Sequence, residues 1–403
     1  MEVLILSRAI AGVGGGGLIS LSYIVVADIT SVKERAKYMA GLGAMVGSGN
    51  MLGPLIGGAL TDKLTWRWCF YINLPVGAIT FLFFVLFCNI PRKAVNTWET
   101  VKNVDLLGSF VLLVSLMAFN IPILLGGTTW AWNSPQVIVL LVLSAIGLSL
   151  FVYIEFRVAV DPVVPPPIWR SPFIMAMAGI SFFVGGGIQS CFMYISLFLE
   201  FIDGYNAIQV GGINAVVCTF YIIVTVASGI VLSKKGHYIS FFIVGPLVWI
   251  AGNIWIANFT KDSGLNQIIT SCAVLGLAIG CMVQLRISAL QLGVEKELIP
   301  IATGICTSAM SIGANVAVSV IGTILNNLLI TKTDGAIELH AVIDALNSNG
   351  HQVNVSQYIT LSKLLQILAI SSEIPKDLIL TAADQLKRGF NDAFKVAFLS
   401  QLA

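Results

Sequence analysis

Charged side chains are scarce in this chain. Only 10% of its 403 residues are Asp, Glu, Lys or Arg, against about 25% in soluble domains, while 57% are hydrophobic. The 20 acids lie in loops or at the ends of apolar runs, so no carboxylate is available deep within those runs. This composition excludes a soluble globular domain and predicts an integral membrane protein.

Histidine is also rare, and the cysteines form no recognisable framework. The chain has three histidines and seven cysteines, without a C-x-x-C pair or metal-ligand spacing. Most of the cysteines lie inside apolar runs, where they are expected to pack as small residues. With no cluster of acids, bases or nucleophiles in the runs, we expect no enzyme activity, no metal and no cofactor. A net charge of +2 gives no reason to expect a nucleic-acid partner.

Long apolar runs are what the sequence has in abundance. About 20 apolar residues are needed to cross a hydrocarbon core about 30 Å thick. Lipid also requires every backbone hydrogen bond to be made internally, which favours helices. The sequence therefore predicts an all-α bundle of about ten transmembrane helices. The windows are 3–27, 39–60, 68–88, 105–126, 135–156, 173–199, 210–232, 239–257, 267–290 and 300–328.

Basic residues are unevenly divided between the two sets of loops. Lys63, Arg67 and Lys261 are the only basic residues in one set of short loops, against eleven in the other, which is therefore predicted to be cytosolic. The chain has two N-x-S/T acceptors for N-glycosylation, Asn258 and Asn354, and both lie on the predicted outer side. The eleven are Lys33, Arg35, Lys37, Arg92, Lys93, Lys102, Arg157, Arg170, Lys234, Lys235 and Lys296.

A glycine-rich run near the N-terminus has the spacing of a dinucleotide-binding loop. In AIAGVGGGGL, Gly12, Gly14 and Gly17 follow G-x-G-x-x-G. That motif requires a preceding strand and an acid about 20 residues later. Here residues 3–27 form a membrane window and Asp28 follows after only 11 residues, so a phosphate-binding loop is excluded.

Two other interpretations of this run remain open. Glycines four apart, such as Gly12 and Gly16, let membrane helices approach closely, so they could act only in packing. Arg8 lies one helical turn earlier, and an intramembrane cation usually faces a water cavity or a partner. The string LILSRAIAGVGGGG resembles the R-x-x-x-G-x-G motif in the fourth helix of major facilitator transporters. That resemblance implies that Arg8, with Gly12 and Gly14, lines a central cavity and takes part in proton coupling.

The second window carries another resemblance to the same family. GNMLGPLIGG resembles the G-x-x-x-G-P-x-x-G-G pattern in the fifth helix of exporters that exchange substrate for protons. Proline removes a backbone donor and bends a helix, while glycines four apart form a smooth face. A generic packing face is the alternative. The matched residues are Gly49, Gly53, Pro54, Gly57 and Gly58.

The third window begins with WRWCFYINLPVG, at residues 66–77. This string resembles the start of the sixth helix in fungal drug–proton antiporters with fourteen spans, which include mycotoxin and azole efflux carriers. An interfacial aromatic belt explains the tryptophans but leaves the later residues of the run unexplained. The residues concerned are Trp66, Arg67, Asn73, Pro75 and Gly77.

These resemblances imply a domain organisation. The windows correspond to helices four to thirteen of a fourteen-helix carrier, so the 403 residues are expected to be truncated at both ends. The expected parts are three spans of the N-terminal half (1–90), an inserted helix pair with cytosolic linkers (91–172), five spans of the C-terminal half (173–330), a large extracellular loop (331–388) and the start of a last span (389–403).

A few polar residues in the windows are candidates for lining a cavity. Arg286 is the second intramembrane cation, and its nearness to the end of its window favours snorkelling to the cytosolic interface over a cavity role. The candidates are Gln189, Asn214, Asn253, Gln284, Arg286 and Asn315.

The resemblance implies a fungal, multi-pass plasma-membrane protein, monomeric in lipid, that exports small amphipathic organic compounds such as drugs, toxins and secondary metabolites in exchange for protons. A truncated, non-transporting fragment is one alternative. An importer of siderophores or sugars is another, and the GNMLGPLIGG run disfavours it.

Overall fold

The computed structural model describes residues 2–87, 105–126, 130–158, 162–201, 205, 207–235, 239–258, 264–333, 388 and 391–396. In these ranges the regular structure is helical, apart from one isolated bridge between Gly126 and Trp130, which confirms the predicted all-α class. The helices are α1 (Glu2–Ile29), α2 (Val32–Lys63), α3 (Trp68–Tyr71), α4 (Asn73–Phe87), α5 (Leu106–Leu125), α6 (Pro135–Arg157), α7 (Pro166–Trp169), α8 (Pro172–Phe201), α9 (Ala207–Lys235), α10 (Ile239–Ala257), α11 (Leu265–Gly293) and α12 (Ile299–Thr333).

Nine apolar segments of the described chain are long enough to cross a membrane, and each coincides with a predicted window. The tenth window lies within α2, which has the length to cross at about 1.5 Å per residue but is not among the nine. Over its whole length α2 is the least hydrophobic of the long helices, and it carries six charged residues near its ends. The assignment of α2 as a tenth span therefore stays a prediction.

Local signals in the sequence explain where several helices begin. The Asp105 carboxylate accepts a hydrogen bond from the Gly108 N–H at 2.7 Å and caps α5. Ser134 caps α6 through the Val137 N–H, and Pro135 occupies the first turn, where its missing donor costs nothing. Short polar residues therefore set these boundaries at the ends of apolar runs.

Helices α8 to α12 form the packed body of the protein, and its buried side chains gather into two main clusters. One cluster joins the end of α8 to the starts of α9 and α11 and the ends of α10 and α12. The other joins the end of α1 and the start of α2 to α7, the start of α8, the end of α11 and the start of α12. Loops that the charge count predicts to be cytosolic thus meet at one end of the bundle.

Helix α2 packs along α9, and glycine permits this approach. A Cβ on Gly47 would lie 2.6 Å from the Tyr221 ring, and one on Gly43 would lie 2.8 Å from the Thr225 side chain. On the other side of the interface, Gly229 lies directly against Ala40. Any larger side chain at these positions would separate the two helices.

Helices α5 and α6 form a hairpin beside the packed body. They contact each other along their length, and α5 also touches α12, where the Thr323 hydroxyl donates to the Ile123 carbonyl at 3.4 Å. The predicted inserted pair therefore adjoins the C-terminal helices.

Some sequence-based expectations lie outside the described residues. They include the whole 91–104 linker, the 334–387 part of the predicted outer loop, Asn354 and residues 397–403. Of the seven cysteines, the six in the described ranges are free thiols, in agreement with the expected packing role.

Candidate functional site

Arg286 lies inside the bundle rather than at its edge, and the predicted snorkelling is wrong. Its side chain is only 2% exposed. Nη1 donates to the Ser181 hydroxyl at 2.7 Å and to the Cys306 carbonyl at 3.4 Å, and Nη2 contacts the Met310 sulfur at 2.6 Å. Helices α8 and α12 close over α11 at this point, so the guanidinium has no route to the interface.

Gln284 is the second polar residue at the centre of this region. It is 2% exposed, and its amide has no close hydrogen-bond partner in the described structure, although Tyr23 is near enough to interact with it. A Cβ added to Gly43 would lie 3.1 Å from its oxygen, so the amide faces α2. Tyr23 of α1 lies beside both Gln284 and Arg286. The cluster therefore lies where α1 and α2 meet the C-terminal helices.

Hydrogen bonds cross the same junction at two levels. The Tyr221 hydroxyl of α9 donates to the Gly43 carbonyl at 2.9 Å. Nearer the helix ends, Arg35 is buried and donates to the Ala27 carbonyl at 2.9 Å and the Gln291 carbonyl at 3.2 Å. Arg35 therefore ties the end of α1 and the end of α11 to the start of α2.

The environment of Arg286 holds no acid in the described part of the chain. The groups that interact with it electrostatically are Tyr23, Cys306 and Tyr221, and its Nε has no hydrogen-bond partner. A charge transferred to a low-dielectric interior costs several kcal/mol unless it is paired. The site thus presents hydrogen-bond donors and a positive charge that neutral groups only partly satisfy.

An apolar cavity of about 720 Å³ lies between α8, α10, α11 and α12. Aromatic rings form much of its wall, and Ser190 is the one hydroxyl-bearing residue among the described residues that line it. A cavity of this size and composition fits a small organic molecule. Prominent lining residues are Phe182, Phe183, Phe242, Trp249 and Met282.

Comparison with known proteins matches residues 1–318 to the family model described as the Major Facilitator Superfamily. The chain belongs to this superfamily. It is 30% identical over 331 residues to an MFS-type efflux pump of Trichophyton rubrum, covering 81% of this chain and 62% of the relative. It is 30% identical over 322 residues to the efflux pump aflT of Aspergillus parasiticus, covering 79% of this chain and 63% of the relative. It is 31% identical over 324 residues to the citrate exporter 1 of Yarrowia lipolytica, covering 80% of this chain and 48% of the relative.

The chain therefore spans between 48% and 63% of the length of these superfamily relatives. The matched region ends inside α12, so α1 to α11 all lie within it. The suspected superfamily and its helical fold are confirmed.

The run that resembles the superfamily's fourth-helix motif lies on an uncovered part of α1. The Arg8 guanidinium lies 5.8 Å from the centre of the Phe70 ring, a cation–π distance, and its side chain is otherwise exposed. A Cβ on Gly12, Gly14 or Gly16 would meet no atom within 4 Å. No described helix packs on these glycines, so the packing interpretation finds no partner here.

The antiporter motif divides between two faces of α2. A Cβ on Gly49, Gly53 or Gly57 would meet nothing within 4 Å, so these three glycines share an uncovered face. Pro54 lies inside the helix, with its Cβ 3.5 Å from the Cβ position of Gly211 on α9. Gly58 is half-buried. Within this run Pro54, Leu55 and Met51 approach α9, with the Met51 sulfur 3.9 Å from the Thr219 hydroxyl.

The helix-entry motif forms the break between α3 and α4. The Arg67 guanidinium lies 5.4 Å from the centre of the Trp66 ring, and both side chains are exposed. The Asn73 amide donates back to the Cys69 carbonyl at 3.4 Å. Pro75 lies in the first turn of α4, and Gly77 meets no neighbour within 4 Å of a Cβ.

The remaining cavity candidates are spread over four helices. Asn214 of α9 is buried and donates to the Ser196 hydroxyl of α8 at 2.8 Å. Asn253 of α10 is fully buried and donates to the Trp249 carbonyl of its own helix. Gln189 and Asn315 are exposed. Of the six predicted residues, only Gln284 and Arg286 share the central cluster.

The acid nearest the membrane interior is also buried. Glu155, near the end of α6, is 4% exposed and accepts hydrogen bonds from the Val163 and Val164 N–H groups, both at 3.0 Å. It therefore anchors the segment that leads into α7. Asp28 and Glu200, the comparable acids of α1 and α8, are exposed.

Several residues of the central cluster have no marker in the sequence. Tyr23, Ser181 and Tyr221 are common residue types within apolar helices. In the sequence, Arg35 stands out only as one of the basic residues of a predicted cytosolic loop. Helical spacing from Arg286 could not select them, because they belong to other helices. Only the assembled bundle identifies them.

Proposed function

We propose that this chain is part of a transporter that exports small amphipathic organic compounds in exchange for protons, and that it has no enzyme activity. The main observation that supports this proposal is the buried polar cluster around Gln284 and Arg286, at the junction of α1 and α2 with the C-terminal helices. Superfamily transporters bind substrate near the midplane between two halves that move relative to each other. The names of the relatives and the antiporter motif favour export over import.

Relative movement of the two groups of helices would break and remake the contacts between them. The Tyr221 bond to the Gly43 carbonyl and the Arg35 bond to the Gln291 carbonyl both cross that junction. Each is a single hydrogen bond, with a net value of about 0.5–3 kcal/mol. Contacts of that size can hold one conformation without locking it.

Proton exchange is the part of the proposal that rests on the antiporter motif. The described membrane helices hold no acid at their centre, and Glu155 near the end of α6 is bonded to two backbone N–H groups. Arg8, with its exposed guanidinium, is the motif residue available for coupling.

An efflux assay tests the proposal. The full-length protein that contains this chain is expressed in yeast cells that lack their own drug exporters, and loss of a preloaded neutral amphipathic dye is measured with and without a proton gradient. We expect faster loss that stops when the gradient is collapsed. Equal loss from expressing and empty cells, at confirmed surface expression, would contradict the proposal.

We also propose a plasma-membrane location, a monomer, glycosylation at Asn258 and Asn354, and the predicted orientation. Lys37 and Gly264 are exposed and lie at opposite ends of the bundle. With native cysteines replaced, a cysteine at position 264 should react with an impermeant maleimide in intact cells, while one at position 37 should react only after permeabilisation. The reverse pattern would overturn the orientation.

A further inference from the structure

We propose that the C-terminal helices bind an organic anion, with its apolar body in the cavity between α8, α10, α11 and α12 and its acidic group on Arg286. This inference rests on the proposed function, because it names the substrate class for that exporter. Four C-terminal helices form the cavity wall, and Arg286 lies between that cavity and the junction with α1 and α2.

Helical spacing places Arg286 beside the cavity. On α11, the lining residues Ile279 and Met282 precede Arg286 by seven and four positions, so the three share a face. On α8, the lining residues Ile180 and Phe182 lie on either side of Ser181, whose hydroxyl accepts from Nη1. The guanidinium therefore lies next to the apolar wall, at the level of Ser181.

Met310 separates the guanidinium from the cavity. Its sulfur accepts a contact from Nη2 of Arg286 at 2.6 Å, and its side chain also lies against the Gly185 position of α8. A thioether is a weak acceptor on a flexible, unbranched side chain. A carboxylate would form charge-assisted bonds to the same guanidinium, so rotation of Met310 would exchange a weak partner for a strong one.

Unused hydrogen-bonding capacity supports the assignment of an anion. Arg286 Nε has no hydrogen-bond partner, although the side chain is 98% buried. In the described chain no acid offsets the charge of Arg286. A neutral ligand would leave that charge unpaired, and a cation would be repelled by it.

The first test uses the unmodified chain and three ligands with one naphthalene body. Binding of 2-naphthoate, 2-naphthalenemethanol and 2-naphthylmethylammonium is measured at pH 7 by calorimetry, with empty micelles as the reference. We expect the acid to bind about tenfold tighter than the alcohol, and the amine to bind weakest. Equal affinities for acid and alcohol would overturn the proposal, whether or not the chain exports a neutral dye.

Variants separate the two parts of the site. Arg286→Gln should reduce acid binding to the affinity of the alcohol, while leaving alcohol binding within about twofold, and Arg286→Lys should retain most of the preference. Gly179→Phe places a ring in the cavity where a Cβ meets no atom within 4 Å, so it should weaken acid and alcohol alike. Arg170→Gln removes an exposed cation and should change neither.

The outcomes also distinguish this inference from the proposed function. Equal loss of both ligands in Arg286→Gln would assign the residue a structural role and contradict anion binding. If that variant does not accumulate, the ligand series on the unmodified chain still decides the question. Preferential acid binding by a chain that exports nothing would support the site and contradict only the exporter.

Discussion

The helices before residue 90 and those after residue 172 differ in what they contain. The first group carries the superfamily motifs, yet only 6% of the residues in the hydropathy window of α1 and none in that of α3 and α4 are buried. In the second group, half of the corresponding window in α8 and 61% of that in α11 are buried. The motifs and the packed core therefore occupy different parts of the described molecule.

This difference shows that a motif and a packing requirement are separate properties. Gly49, Gly53 and Gly57 match a family pattern but face no neighbour, whereas Gly43 and Gly47 match none and lie against α9. Close helix approach forbids a side chain only where a second helix is present. The predictions below test whether buried and uncovered glycines behave as differently as their surroundings imply.

The largest expected effect is in the packed core. Gly276→Leu would push a side chain into the Val217 carbonyl and the Phe220 Cβ of α9, and overpacking costs about 1–3 kcal/mol or more. We expect little folded protein by size-exclusion chromatography in detergent. Gly16→Leu, on the uncovered face of α1, is the matched control and should accumulate normally. Equal losses from both variants would remove the distinction between the two regions.

Helix α2 allows the same comparison within one element. Gly47→Leu would meet Tyr221 and Ile222, so we expect lower accumulation and a lower thermal midpoint. Gly53→Leu meets nothing in this structure and should accumulate like the unmodified chain, but it should reduce efflux if the uncovered face makes contact in another conformation. Unchanged dye efflux in Gly53→Leu, at equal expression, would assign that glycine no role in the transport cycle.

Arg35 links the two regions, and its loss should have an intermediate effect. Arg35→Ala leaves the Ala27 and Gln291 carbonyls without their donor, at a cost of about 1–3 kcal/mol. Thermal unfolding followed by tryptophan fluorescence should show a lower midpoint, and Arg35→Lys should lie between the two. Lys37→Ala, which removes a nearby exposed cation, should leave the midpoint unchanged. A drop in the Lys37 variant as large as in Arg35→Ala would indicate a general charge effect.

The smallest effect is expected in the exposed N-terminal region. Phe70→Leu removes the ring that lies beneath Arg8, an interaction of about 0.5–1 kcal/mol at exposed sites. A double-mutant cycle with Arg8→Met, read as thermal stability, should give a coupling of that size. No coupling would mean that the contact does not contribute to holding α1 beside α3.

Sequence patterns were most informative where the membrane imposes them. Each of the nine apolar segments coincides with a predicted window, because apolar length and internal hydrogen bonding suffice to define a span. The tenth window shows the limit: α2 forms a long helix, and Gly43 and Gly47 lie against α9, which hydropathy alone does not indicate. The superfamily was also recognisable from short strings with glycine and proline at fixed spacings, and the family match over residues 1–318 confirms it.

The candidate site could be predicted only in part. Gln284 and Arg286 are polar residues in an apolar window, and that contrast was sufficient to select them. Because Arg286 lies near the end of its window, its position suggested that the side chain reaches the interface. The sequence of α11 alone does not show which other helices surround it. Ser181, Cys306 and Met310 enclose the guanidinium from α8 and α12, and this enclosure reverses the interpretation.

By itself, the sequence determined that the chain is a helical membrane protein of the major facilitator type, because hydropathy and motif spacing are properties of each segment alone. Only the tertiary structure decided which glycines are packed, which arginine is buried and where a cavity lies, because burial depends on neighbours far apart in the chain. Arg8 and Arg286 are both intramembrane cations in the sequence. One is exposed beside a single ring, and the other is enclosed by three helices.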